Sequence, residues 1–74
     1  MTEKEELLEA YRKEIHNIAT ARDPVEVEKA IRKARIYIGE LKHNHKLSVK
    51  DIMDMYETVD IFHWKAERRL SEGL

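Results

Sequence analysis

From Ser48 to Gly73 the chain carries no proline and no internal glycine, and its apolar residues recur at alternating spacings of three and four. That pattern admits one long amphipathic helix and little else, because a half-buried strand needs alternation at every second residue. Ser48 can cap the first turn with its hydroxyl, and Asp51 stands three residues on, as in a capping box. Gly73 is a plausible C′ residue, and Arg68 and Arg69 lie where the helix dipole favours cations. Val49, Ile52, Tyr56, Val59, His63, Ala66 and Leu70 make the core stripe, which Met55 and Phe62 widen. The shorter segments before it are expected to cover that stripe.

Two further helices are legible upstream. Thr2 and Glu5 have capping-box spacing, and Glu3, Glu5 and Glu6 suit the positive end of a helix dipole. At about 100° per residue, Leu7, Leu8, Tyr11, Ile15, Ile18 and Ala19 share one face of a helix over 3–22. Asp23-Pro24 then punctuates the chain, since the residue before a proline avoids the α region. Asp23 is placed to cap a second helix over 24–42, with Pro24 in its first turn. Its core stripe is Val27, Ala30, Ile31, Ala34, Tyr37, Ile38 and Leu41, while Val25 and Ile36 fall on the opposite face. Gly39 costs about 1 kcal/mol relative to alanine inside a helix, so fraying or the approach of another backbone is expected there. With the third helix over 49–72, these lengths and short links predict an all-α fold. It is an up-down-up antiparallel three-helix bundle, in one domain spanning 1–74.

Composition narrows the function. The chain has no cysteine, which excludes disulfides and thiolate metal sites. Its formal net charge is −1 with acids and bases interspersed, which argues against a polyanionic partner. The longest apolar run is Ile36-Tyr37-Ile38, far short of a membrane span, and the amino terminus is acidic, unlike a signal peptide. A cytoplasmic location is therefore expected. No nucleophile–base pair, phosphate-cradling glycine loop or thiol is present, so no catalysis and no cofactor are expected.

The third helix carries more apolar surface than a core needs. Met53 and Trp64 lie together on one flank of its stripe, and Ile61 lies further round. With Phe62 beside them and Ile36 on the second helix, they suggest a partner-binding surface anchored by Trp64. The partner is expected to be a protein or a second copy of the chain, not a small molecule. Asp60, His63 and Glu67 share a flank in a D-x-x-H-x-x-x-E run, a pattern that suits a pH-sensitive or metal-holding cluster. The plainer reading, a partly buried histidine paired with acids, is preferred, and no metal is assigned. His43 and His45 are read as part of a solvated connector. The expected role is a small protein-interaction module, an adaptor, regulator or inhibitor. The alternatives are a helix-turn-helix-like nucleic-acid binder and a structural bundle without a partner. Asp51 and Asp54 in the first turns of the third helix weigh against the nucleic-acid reading.

Overall fold

The side-chain caps foreseen in the sequence set where each helix begins. In the computed structural model, which describes residues 2–44 and 46–72, α1 is Glu3–Thr20, α2 is Pro24–Leu41 and α3 is Val49–Glu72. The Thr2 hydroxyl accepts the Glu5 N–H at 3.1 Å, and the Asp23 carboxylate accepts the Glu26 N–H at 2.8 Å. Ser48 and Asp51 satisfy each other: the Ser48 hydroxyl accepts the Asp51 N–H, and the Asp51 carboxylate accepts the Ser48 N–H, both at 3.1 Å. Orphan amide groups at each start are thus paired. Gly73 and His45 lie outside the described residues.

Paired positions fix the helix directions. Tyr37 of α2 donates to the Leu7 carbonyl of α1 at 3.0 Å, and Arg35 of α2 meets Asp60 of α3 at 2.8 Å. Further along, Lys42 lies over the Tyr56 ring, so the α2 numbers rise as those of α3 fall. Between α1 and α3, by contrast, Lys4 reaches Asp51, Tyr11 reaches the Met55 carbonyl and Arg69 reaches the Ala19 carbonyl. Those numbers rise together, so α1 and α3 are parallel and α2 runs against both. The chain is an all-α up-down-up three-helix bundle, with every pair of helices in contact.

Burial is greatest on α2, where Val27, Ala30, Ile31, Ala34, Ile38 and Leu41 are enclosed. Alpha-3 buries Ile52, Met55, Val59 and Ala66, and α1 buries Ile18 alone, with Ala21 just beyond its end. The middle helix is thus the best covered of the three, and the α3 stripe is covered by the two helices before it. Ala30 and Ala34 are small enough to let neighbours come close. Leu7, Leu8, Tyr11 and Ile15 close the α1 side as partly buried residues.

Three expectations are corrected. First, α1 stops at Thr20, two residues early, because the backbone turns extended at Ala21. Arg69 donates to the Ala19 and Ala21 carbonyls, and Glu26 accepts the Arg22 N–H at 2.7 Å, so groups freed by the early stop are satisfied from outside α1. Second, Val49 is 78% exposed, although the wheel puts it on the core stripe. Leu47, just before the cap, packs against the core at that end, and it lines the same groove as Ile52. These are the two positions of a hydrophobic staple. Third, α2 continues through Gly39 to Leu41, and a Cβ at Gly39 would meet the Tyr56 hydroxyl at 3.9 Å, an ordinary contact. No fraying and no second backbone accounts for that glycine.

Candidate functional site

Alpha-3 has two faces. The buried one is closed by Ile52, Met55, Val59 and Ala66, and the opposite one carries Lys50, Asp54, Glu57, Ile61, Trp64, Arg68 and Ser71, all exposed. These seven positions follow one another at spacings of four and three, so they form a continuous stripe along the helix. Its centre is apolar: Trp64 is 58% exposed and Ile61, one turn before it, 45% exposed. The Arg68 guanidinium lies 5.3 Å from the centre of the Trp64 ring, stacked on the side facing the next turn. Its Nε also donates to Glu72 at 2.9 Å. Before the apolar centre stand two acids, Asp54 and Glu57. After it stands one base, Arg68, while a second base, Lys50, opens the stripe ahead of the acids.

The residues expected to bind a partner are divided by the structure. Met53 is exposed, but it stands about 16 Å from Trp64 along the helix axis at 1.5 Å per residue. It lines a separate groove with Lys42, Leu47, Val49 and Tyr56. Phe62 packs against the core as a partly buried residue, with the Lys65 ammonium 5.7 Å from its ring centre. It therefore supports the bundle and does not extend the outer stripe. Ile36 is exposed on α2, where its neighbour Arg35 turns to α3. One residue further on, Ile36 is rotated by about 100° away from that side.

The Asp60, His63 and Glu67 run is split between two ion pairs. His63 Nε2 lies 2.7 Å from a Glu67 oxygen, while Asp60 accepts from Arg35 of α2 at 2.8 Å. Asp60 is thus committed across the bundle, and the three do not converge. Among the described residues, no group of three or more His, Asp or Glu side chains is placed to hold a metal ion. His63 and Glu67 instead border a cleft of about 590 Å³ between the start of α2 and the end of α3, which Pro24, Val27 and Leu70 also line. His43 is exposed in the connector.

Two other sets of groups shape the surface. The Asp51 carboxyl is held below its usual range by the Ser48 N–H, then by the Ser48 hydroxyl, with Lys4 and Lys50 adding to both. Burial pushes the Tyr11 and Tyr37 hydroxyls up. Lys29, Arg32 and Lys33 share a shallow groove with Glu26 along the first half of α2, so that surface is mixed in sign.

Sequence reading missed the stripe of seven and the reach of Arg69 to α1. The stripe has a signal, a second three-and-four repeat on the side away from the core, hidden because most of its members are charged. The Arg69 contact has none, since its partners stand 48 and 50 residues away. None of the described helices is long and apolar enough to cross a membrane. No protein-family model, curated protein or solved structure matches the chain.

Proposed function

We propose that the chain is a small protein-interaction module that docks through the outer face of α3, with Trp64 as anchor and Ile61 beside it. One observation carries this reading: the only indole in the chain is 58% exposed on a helix whose core face is already filled. An aromatic side chain of that size gains about 1.5–3 kcal/mol from full burial, so its wet position is a gain kept for association. Tryptophan and arginine are the residues that most often dominate binding energies, and Arg68 is stacked on Trp64. The face is part of a preformed helix, so docking orders little backbone. Met53, Val49 and Ile36 are exposed too, but they lie away from this face and are not part of the anchor. A role as adaptor, regulator or inhibitor in a reducing cytoplasmic setting suits a cysteine-free chain acting through a surface.

The test is a photo-crosslinking residue placed at position 64, compared with one at the exposed position 9, in the cells from which the chain comes. Adducts specific to position 64 support the reading. Their absence, or the same adducts from position 9, removes it.

A further inference from the structure

We propose that the occupant of this face is a second copy of the chain, with the two α3 helices packed antiparallel across a two-fold axis. This rests on the docking role of the α3 face and names its partner. The ground is charge complementarity within the stripe of seven. Its acids, Asp54 and Glu57, precede the apolar pair Ile61 and Trp64, and the base Arg68 follows them, while Lys50 lies beyond the layers paired below. Setting Ile61 of one copy against Trp64 of the other fixes the remaining layers, because positions in an antiparallel pair advance in opposite directions. Glu57 then meets Arg68, and Asp54 meets Ser71, each twice by symmetry. A parallel pairing instead sets Glu57 on Glu57 and Arg68 on Arg68, which like-charge repulsion disfavours.

The spacing fits a helix pair. From Lys50 to Ser71 the stripe positions fall at alternating intervals of four and three, the repeat that keeps a seam facing a partner helix. All of them are exposed in the single chain, so no rearrangement of the core is needed. Among the described residues neither Asp54 nor Glu57 has an ion-pair partner, and each is available to a second copy. Arg68 is shared with Glu72 at 2.9 Å, an exposed pair four residues apart that contributes little and yields easily. The apolar centre is confined to two residues per copy. The association is therefore weak and reversible, at the small end of specific interfaces, with a dissociation constant in the micromolar-to-millimolar range.

The experiment is sedimentation velocity on the intact chain from low micromolar to millimolar concentration, with circular dichroism to confirm that each variant is folded. The wild-type chain should shift from monomer to dimer. Glu57→Arg and Arg68→Glu should each weaken the dimer about tenfold or more, since each sets like charges together at two symmetric places. An equimolar mixture of the two variants should associate again. In the mixed dimer the arginine introduced in one copy faces the glutamate introduced in the other, and the native Glu57 and Arg68 pair at the second place. A chain that stays monomeric to millimolar concentration, or a dimer indifferent to both reversals, overturns the proposal. A monomer that still gives position-64 crosslinks to another protein rejects the second copy and keeps the docking face.

Discussion

Arg69, in the last turns of α3, donates a hydrogen bond to the backbone carbonyl of Ala21, just past the end of α1. A second nitrogen of the same guanidinium reaches the Ala19 carbonyl. Alpha-1 has no basic residue in its own last turn, so its negative end is met by a cation from another helix. The contact also locks the parallel pair, α1 and α3, at the end where α1 stops. Arg69→Ala should lower unfolding stability by about 1–2 kcal/mol, the range for hydrogen bonds to a charged group at a partly wet site. Arg69→Lys should recover only part of it, since an ammonium lacks the two-pronged reach. Urea unfolding of the three chains checks this, and equal midpoints would show that the contact contributes nothing.

Tyr37 ties α2 to α1 through the Leu7 carbonyl at 3.0 Å. Tyr37→Phe should cost about 1 kcal/mol at neutral pH. Burial raises the Tyr37 hydroxyl's pKa, with Glu14 and Glu40 adding to it. A raised folded value means that the stabilisation is complete below the unfolded value, about 10, and is lost as pH rises through the folded one. The wild-type chain should therefore lose stability in alkali more steeply than Tyr37→Phe. Parallel slopes in a pH series of denaturant unfolding would rule out this linkage.

Ile38 and Trp64 separate the core from the outer face. Ile38 is fully buried, and Ile38→Ala should cost about 2–5 kcal/mol, enough to unfold much of a population this small in core. Trp64→Ala should cost no more than about 0.5–1 kcal/mol, the worth of an exposed stacked pair with Arg68. Thermal unfolding followed by circular dichroism distinguishes them. A collapse of stability on losing Trp64 would make the indole part of the fold.

Acid should loosen α3 at its start. Asp51 is held deprotonated by the Ser48 N–H and hydroxyl, which places its folded pKa below the unfolded value of about 3.9. A depressed folded value contributes stability above the unfolded one, and that contribution is lost as pH falls through the folded one. The difference in unfolding midpoint between the wild-type chain and Asp51→Asn should be greatest near neutral pH and should shrink below about pH 4. A difference constant with pH would show that the carboxylate's charge is irrelevant there.

The fold was largely legible because its signals are local. Thr2, Asp23 and Ser48 cap their helices by contacts only three residues long, and Pro24 ends one helix while opening another. What escaped depends on neighbours that a sequence does not display. Val49 has the right wheel angle for the core, but Leu47 fills that end of it. Alpha-1 can stop early because Arg69, far along the chain, caps its last carbonyls. The candidate face was half legible. Trp64 and Ile61 stood out as apolar residues beyond one stripe, whereas Met53 was grouped with them by angle alone, without regard to distance along the axis. Phe62 stood near them in the sequence but turns to the core. The Asp60, His63 and Glu67 run failed to converge because Arg35, on another helix, draws Asp60 away.

The proposed docking role requires that the bundle leave its one indole wet until a partner covers it. Emission of Trp64 in the intact chain, recorded against concentration alongside sedimentation, tests this most directly. The expected result is a water-like emission from the dilute monomer that moves to the blue as the chain associates. A blue emission already at high dilution, or one that stays fixed while the chain associates, would contradict it.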